Sequence, residues 1–331
     1  MSRLTQFGNA LYTGEKSFDF VGNRVRWYLI GGAVVALAIA LTILRGGFSF
    51  GIEFRGGSEF RVSQPPVLSE QVAVDTVNEL VGQTSNPRVS IVGGDSIRVQ
   101  TEQLTDAETT GLRTDLAEAY DVSVEQVTAS FVGATWGQDI TRQALIGLGV
   151  FLVLVSIVMA LYFRTWKMSL AALVALAHDL VITAGIYGVL GFEITPAAVI
   201  GLLTILGYSL YDTVVVFDKV RENTQQDGEE SRRTFAESVN LAVNQTLVRS
   251  INTSVVAVLP VGSILFIGSV LLGAGTLRDI AIALFVGMIA GTYSSVFIAA
   301  PLYVHLRENE PEHLKQGTKV KAPRPATGAV R

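Results

Sequence analysis

Long apolar stretches alternate with polar segments along the chain, and six of these stretches are long enough to cross a lipid bilayer. About 18 to 25 predominantly apolar residues are needed to span a hydrocarbon core of about 30 Å. The stretches lie at residues 27–44, 144–163, 168–190, 195–217, 248–272 and 280–304. Because spans of this length satisfy their backbone in lipid only as helices, the pattern predicts a polytopic α-helical membrane protein with six transmembrane helices.

The segment at 45–142, between the first and second stretches, has a different pattern in which strand-like and helix-like periods alternate. The pattern predicts a strand at 48–62, a helix at 69–81, a hairpin of 88–92 and 97–100 around Gly93-Gly94-Asp95, a helix that begins at Thr105, and a strand at 124–132. This order of elements is the split βαβ, or ferredoxin-like, arrangement. We therefore expect an independent α+β domain of about a hundred residues.

Composition and charge support this division and predict an orientation. The chain is 49% hydrophobic and only 16% charged, with a mean hydropathy of +0.43. If six spans are drawn, the Lys and Arg clusters outside 45–142 fall on one side, which should be cytoplasmic because basic loops resist translocation. The segment at 45–142 has seven Arg, no Lys and fourteen Asp or Glu, and it falls on the other side. Both termini are thus expected inside and the α+β domain outside.

The patterns divide the chain into five expected parts. They are a cytoplasmic segment at 1–26, a first transmembrane helix at 27–44, the external domain at 45–142, helices two to six within 143–305, and a disordered basic cytoplasmic tail at 306–331. We expect the first helix to be a retained anchor, because no small-x-small cleavage site follows it. Thr234 and Glu237 form a capping box, which predicts a short amphipathic segment at about 231–247 on the cytoplasmic membrane face.

An acid within the fourth stretch is the main candidate for chemistry. Insertion scales assign about 2.5 to 3.5 kcal/mol to a charged group at a helix centre, so Asp212 is not expected there for folding alone. Arg249 lies at a similar depth near the start of the fifth stretch, on a helix that runs the other way. An Asp that faces an Arg would give two states that differ in protonation, and we expect a proton relay. A static ion pair that fixes helix register is the alternative.

Four further residues are candidates for supporting roles in this relay. His178 and Asp179 lie near the middle of the third stretch. We expect them to anchor helices through hydrogen bonds, with proton relay as the alternative role. Ser209 and Thr213, which lie close to Asp212 along the fourth stretch, are candidate supporting residues.

Small residues within the spans predict close helix packing. Gly287-x-x-x-Gly291 in the sixth stretch allows a neighbouring backbone to approach, and the same holds for Gly185 and Gly188 in the third. Arg278-Asp279 is expected to mark the interfacial start of the sixth helix.

Several kinds of catalytic motif are absent from the sequence. There is no Walker A loop, no GxGxxG before a helix, no HExxH and no GxSxG, so we find no site for nucleotide hydrolysis or covalent catalysis. The absence of cysteine excludes disulfides and thiolate metal sites. We expect no enzymatic activity and no cofactor, with protons as the coupling ion. Each elementary charge that crosses about 100 mV supplies about 2.3 kcal/mol.

Four motifs resemble one known family. They are GIEFRGG at 51–57, GYSLYDTVVVFDKVREN at 207–223, RSINTS at 249–254 and GTYSS at 291–295. Together they resemble the SecF family, whose members are subunits of the SecDF protein-export factor in the resistance-nodulation-division (RND) superfamily. The resemblance extends over about 18–306. Tyr211 departs from the pattern, since many members have Asn beside the Asp.

The resemblance implies half of an RND-type core that pairs with SecD and uses the proton motive force to drive late-stage export of preproteins through the Sec translocon. It implies that Asp212 and Arg249 belong to the proton path. The implied partners are SecD, the SecYEG translocon, an unfolded preprotein and membrane lipid, with SecA and YajC as further candidates and no nucleic acid. The implied location is the bacterial inner membrane, where the basic tail is expected to contact the translocon or anionic lipid.

Two other functions remain open from the sequence. One is a half-unit of a proton-driven small-molecule or lipid exporter of the RND superfamily, which would need a large hydrophobic pocket in the external domain. The other is an assembly platform in which Asp212 and Arg249 only lock helices together. Transporters of this type are generally built from two repeats around a central site, so the single six-helix unit predicts a partner of matching design.

Overall fold

Six helices of the computed structural model are long and apolar enough to cross a membrane, as the hydrophobic pattern predicts. The structure describes residues 3–82, 87–92, 94–226, 233–268 and 275–311. A short helix α1 (Arg3–Thr13) precedes the first of the six. The six are α2 (Arg24–Leu44), α6 (Ala134–Phe163), α7 (Trp166–Leu190), α8 (Pro196–Gln226), α9 (Phe235–Ser263) and α10 (Gly275–Ser294), which continues through a π-turn (Ser295–Ala299) into α11 (Ala300–Arg307).

Two predicted boundaries in this region are wrong. Helix α6 begins at Ala134, so the helical region starts before the expected end of the α+β domain at residue 142. The amphipathic segment expected at about 231–247 is not separate, because its described residues are the first turns of the continuous helix α9. Its apolar residues Phe235, Val239 and Val243 are buried in the main helix cluster rather than lying on a membrane surface.

Other parts of these predictions are confirmed or lie beyond the described residues. Thr234 and Glu237 form the expected capping box. Residues 231 and 232, the expected end of the fifth span at 272, and residues 312–331 of the tail lie outside the described residues. A third boundary, the expected start of the disordered tail at 306, is also wrong, because α11 extends to Arg307 and Glu308 forms an ion pair with Arg24 at 2.6 Å.

The α+β domain between α2 and α6 has the predicted order of elements. It consists of β2 (Gly57–Ser63), α4 (Glu70–Val81), β3 (Arg88–Val92), β4 (Ser96–Thr101), α5 (Asp106–Ala119) and β5 (Val127–Val132). The four strands form an antiparallel sheet in the order β3-β4-β2-β5. Helices α4 and α5 cover one face, where Phe60, Val77 and Leu112 are fully buried. The Thr105–Glu108 capping box begins α5.

The predicted first strand at 48–62 is interrupted. A two-residue strand β1 (Ser49–Phe50) is followed by a one-turn helix α3 (Ile52–Arg55) before β2 begins. Gly56 ends this helix with a φ of 77°, a backbone conformation that favours glycine. Strand β1 pairs in parallel with β6 (Glu193–Ile194), which lies between α7 and α8. The interruption therefore joins the start of the α+β domain to the helix bundle.

Further contacts hold the domain on the bundle. Arg98 in β4 forms an ion pair with Glu193 in β6, with 3.0 Å between Nη2 and Oε2. Gln100 Nε2 donates to Glu59 Oε2 at 2.9 Å and to Glu193 Oε2 at 3.2 Å. At Gly137 in α6, a Cβ atom would lie 2.8 Å from the Phe54 carbonyl oxygen, so only glycine allows α3 to approach this closely.

Close approach of helices at small residues is confirmed within the bundle. A Cβ atom on Gly287 would lie 2.3 Å from Ile205 Cγ1, and one on Gly291 would lie 2.8 Å from Ser209 Cβ. Helices α8 and α10 are therefore in contact along this face. Gly185 and Gly188 of α7 meet Ala38 and Thr42 of α2 in the same way.

Candidate functional site

Asp212 lies in the contact between α8 and α9, with 6% of its surface exposed. Ser250 Oγ of α9 donates to Asp212 Oδ1 at 2.7 Å. Asp212 Oδ2 is buried and has no hydrogen-bond partner among the described residues. The carboxyl group is thus enclosed by helices but only half satisfied.

Arg249 lies beside Asp212 but forms no ion pair with it among the described residues. Its Nη2 donates instead to the hydroxyl of Tyr211 at 3.5 Å, in an exposed position. Successive residues of a helix point about 100° apart, so Ser250 points at Asp212 while Arg249 points outward. Asp212 and Arg249 thus lie on two neighbouring helices, α8 and α9, as expected. The expected ion pair between their side chains is not formed among the described residues.

Asp179 is buried in the bundle, with 1% of its surface exposed, and its carboxyl group has three hydrogen-bond partners among the described residues. Ser209 Oγ of α8 donates to its Oδ2 at 2.5 Å, and Ser294 Oγ of α10 donates to the same atom at 2.7 Å. His178 Nδ1 lies 3.1 Å from Oδ1. Asp179 therefore joins three helices, which is the interhelical anchor expected from the sequence.

A second set of hydroxyl groups lies on the same helices as the residues that bond to these two carboxyl groups. Thr213 Oγ1 and Ser295 Oγ are hydrogen-bonded at 2.9 Å, and Thr213 also donates to the Ser209 carbonyl oxygen at 3.2 Å. Ser254 and Thr292 are hydrogen-bonded to each other. The structure thus brings Ser209 and Thr213 into one buried polar region with Asp179 and Asp212.

Sequence reasoning missed the hydrogen bonds that Ser250 and Ser294 donate to the two buried carboxyl groups. A usable signal was present, since small hydroxyl residues recur one turn apart at Ser250 and Ser254 within an apolar span. Such residues point to the same face of a helix. A face of this kind opposite a buried acid indicates hydrogen-bond donors to that acid.

Arg278 and Asp279 lie in the first turns of α10, as expected, but Asp279 is not merely interfacial. Thr195 Oγ1 donates to Asp279 Oδ2 at 2.9 Å, and Tyr187 Oη donates to its carbonyl oxygen at 2.5 Å. Arg278 lies over the Phe192 ring at 4.9 Å. These contacts hold the beginnings of α8 and α10 together, close to β6. Within the described ranges, no group of three or more His, Asp or Glu residues is placed to hold a metal ion.

Comparison with known proteins places this architecture in a family. The family model described as protein export membrane protein SecD/SecF, C-terminal, matches residues 113–309. The chain belongs to the SecD/SecF family. It is 47% identical to the protein translocase subunit SecF of Streptomyces coelicolor, over 100% of this chain and 87% of the relative. It is 31% identical to the protein translocase subunit SecDF of Thermus thermophilus, over 88% of this chain and 38% of the relative.

A solved structure agrees with this assignment to the SecD/SecF family. The crystal structure of SecDF from Thermus, described as a translocon-associated membrane protein, superposes with a TM-score of 0.75 at 31% identity. The match covers 88% of this chain and 39% of the SecDF chain, so the chain spans about two fifths of that protein. The protein is therefore a multi-pass membrane protein with the RND-type plan that the sequence predicts.

Proposed function

We propose that this chain is the SecF subunit of a protein translocase, which uses the proton motive force to assist late-stage export of preproteins through the Sec translocon. Support comes from the relatives, which carry the names SecF and SecDF. The location that fits this role is the bacterial inner membrane, with both termini in the cytoplasm and the α+β domain outside.

The observation that carries the proposal is the environment of Asp212. Its carboxyl group is buried among membrane-length helices, receives one hydrogen bond from Ser250, and has a second oxygen that meets no partner in the described part of the chain. A proton on that oxygen removes the charge and supplies a donor, so protonation changes the interaction between α8 and α9. Arg249, one residue from Ser250, is close enough to respond through a side-chain rotation.

Asp179 has a supporting role in this proposal. Its hydrogen bonds with Ser209 and Ser294 hold α7, α8 and α10 in register, so that movement at Asp212 is not absorbed by loose packing. His178 and Thr213 complete the polar region around it. Protons are the coupling ion, with no cofactor and no enzymatic step.

A physical connection links Asp212 to the α+β domain. Helix α8 follows β6 directly, and β6 pairs with β1 and holds Arg98 through Glu193. A displacement of α8 together with the helices held to it by Asp179 is therefore transmitted to the sheet that contains β4. In this way proton flux at Asp212 moves the external domain against an emerging polypeptide.

The proposed partners follow from the length of the match. The chain covers 38% of the Thermus thermophilus SecDF relative, so a SecD partner would supply the rest of a complete unit. The other proposed partners are the SecYEG translocon, an unfolded preprotein and membrane lipid, with SecA and YajC as candidates. The exporter alternative needs a large apolar pocket in the α+β domain. The apolar cavity of about 850 Å³ instead lies between membrane helices and is lined by α9 residues such as Val255.

The test compares Asp212→Asn with Asp218→Asn in cells or vesicles that contain the complete translocase. Asp218 lies on the same helix and is exposed, where it accepts a hydrogen bond from Tyr162. We expect Asp212→Asn to lose the gradient-dependent part of preprotein export, while Asp218→Asn keeps it. Gradient-dependent export at the unmodified rate by Asp212→Asn would contradict the proposal.

A further inference from the structure

We propose that the edge strand β3 binds an extended, unfolded polypeptide segment by main-chain pairing, in a groove between the α+β domain and the helix bundle. This inference rests on the proposed export function and names the surface at which the exported chain is held. The segment that fits has acidic or uncharged polar side chains on one face and apolar side chains on the other.

Strand β3 lies at the end of the sheet order β3-β4-β2-β5 and pairs only with β4 among the described residues. Along Arg88–Val92, the main-chain groups that point away from β4 are therefore not used within the sheet. An unused row of N–H and C=O groups is a template on which another extended chain can add a strand. Main-chain hydrogen bonds do not depend on the side chains of the bound segment. Such pairing suits a surface that must accept many different exported chains.

The groove at this edge is formed by parts of both units. A cavity of about 500 Å³ is lined by all five residues of β3, so the edge of the strand opens into it. One wall is α4, where Glu70, Gln71 and Val74 line the cavity. The opposite wall is formed by the β6 region and Arg278. Five residues of strand extend over about 17 Å, which sets the length of the segment that can pair.

The charges of the groove favour a segment with acidic residues. Arg98 is committed to Glu193 at 3.0 Å. Arg88, Arg278 and Glu70 also line the groove, and none of the three forms an ion pair within the described part of the chain. Two guanidinium groups against one carboxylate leave the groove with a net positive charge. Ile91 is 41% exposed and supplies an apolar contact on the other face of the strand.

The opposite edge of the same sheet provides a matched comparison. Strand β5 pairs only with β2 among the described residues, so it is also an edge. Its first carbonyl group, at Val127, accepts a hydrogen bond from Arg113 Nε at 2.7 Å. Ser130 in β5 is exposed, whereas Ser90 in β3 is only partly exposed. If disulfide formation depended only on random collision, a cysteine at position 130 would therefore react more often than one at position 90.

The experiment uses single cysteines, because the chain has none of its own. Ser90→Cys and Ser130→Cys are introduced separately into the full chain in membranes that contain the complete translocase. An exported polypeptide with one cysteine in an unfolded, Asp-containing segment is then stalled in the translocon and oxidised. We expect a severalfold higher disulfide yield with Ser90→Cys, and a lower yield when Lys replaces the Asp residues of the segment.

Equal yields at the two edges would overturn the proposal, as would a yield at Ser90→Cys that is unchanged by the Asp-to-Lys replacement. The measurement is made without a proton gradient and is repeated with Asp212→Asn, where the same yield is expected because edge pairing does not need proton flux. Its outcome is therefore distinguishable from that of the gradient-dependent export test.

Discussion

A carboxyl group among apolar helices is held either by hydrogen-bond donors or by its own proton, and Asp179 and Asp212 differ in this respect. Asp179 is surrounded by Ser209, Ser294 and His178. Within the described ranges, Asp212 has one hydrogen-bond donor, Ser250, and one oxygen without a partner. Moving a proton to or from Asp179 would break several contacts between helices. Asp212 can exchange a proton with much less rearrangement, so it is the better suited of the two to a transport cycle.

Ser250→Ala tests this assignment directly. Without the hydroxyl, the ionised form of Asp212 loses its one described donor, and a hydrogen bond to a charged group contributes about 1.5 to 3 kcal/mol. If the cycle passes through that form, gradient-driven export should fall about 10- to 100-fold. Export rates in vesicles with an imposed gradient measure the effect. Ser263→Ala is the control, since that hydroxyl lies on the same helix and, among the described residues, donates to the Leu259 carbonyl oxygen alone.

Glu53 in α3 should make the stability of the protein depend on pH. Burial raises the pKa of its carboxyl above the ordinary value of 4.5, and the nearby Glu59 and Glu193 act in the same direction. Because the folded state favours the protonated form, this contribution to stability is present at low pH and is lost as pH rises through the raised pKa. Glu53→Gln should therefore raise the apparent Tm more at about pH 8 than at about pH 4.5.

Thermal scans of purified protein at one scan rate check this expectation. Glu118→Gln is the matched control, because Glu118 is exposed on α5. A difference between Glu53→Gln and the unmodified protein that stays constant with pH would show that Glu53 does not carry the effect.

The sequence predicted Asp212 but not the direction of Arg249. An acid in an apolar run is visible without any knowledge of the fold. The residue that faces it is not, because one step along a helix turns the side chain by about 100°. The prediction thus identified the turn of α9 that faces Asp212. It assigned the contact to Arg249, whereas Ser250 donates the hydrogen bond to Asp212. The rotation of α9 about its own axis relative to α8 is set by packing between the helices, which the sequence alone does not give.

At the level of elements, the approach of α8 to α10 determines where the polar region lies. Gly291 allows Ser209 to pass beneath α10, and a Cβ atom there would lie 3.2 Å from Ser209 Cα and 2.8 Å from its Cβ. Gly291→Ala should separate the two helices and destabilise the protein by about 1 to 3 kcal/mol, as overpacking does in other interiors. A lower apparent Tm is the expected result.

Gly147→Ala provides the control for this substitution. Gly147 lies in α6, where an added Cβ would meet nothing within 4 Å. Alanine is the better helix former, so this variant should keep or slightly raise the apparent Tm. An equal loss in both variants would attribute the effect to the substitution type rather than to the contact with Ser209.

Helices and strands were predictable where the sequence signal comes from residues close together in the chain. They were less predictable where the structure depends on packing against distant parts of the chain. The capping box at Thr105 and Glu108 involves residues three positions apart, and it forms as expected. The apolar face of Phe235 and Val239 suits a membrane surface and a buried helix contact equally well, and the structure has the buried contact. The break at α3 depends on pairing between β1 and β6, which are far apart in the sequence.

For the whole molecule, the α+β domain and the bundle are mechanically continuous through β6. This short strand is paired with β1, bonded to Arg98 and Gln100 through Glu193, and followed directly by α8. The groove at β3 and the carboxyl group of Asp212 therefore lie at opposite ends of one connected path. Proton flux at Asp212 can move an external domain only if the domain and the cytoplasmic ends of the helices are on different sides of the membrane.

That arrangement gives the last prediction, which concerns orientation. The domain segment lacks Lys, whereas the C-terminal end of α8 contains Lys219 and Arg221, so the positive-inside rule places this end of α8 in the cytoplasm. In the cysteine-free chain, Glu118→Cys on α5 should react with a membrane-impermeant thiol reagent in intact spheroplasts. Gln225→Cys at the end of α8 should react only after the membrane is opened. Labelling of both positions from the same side would contradict the orientation and, with it, the transmission of proton flux to an external domain.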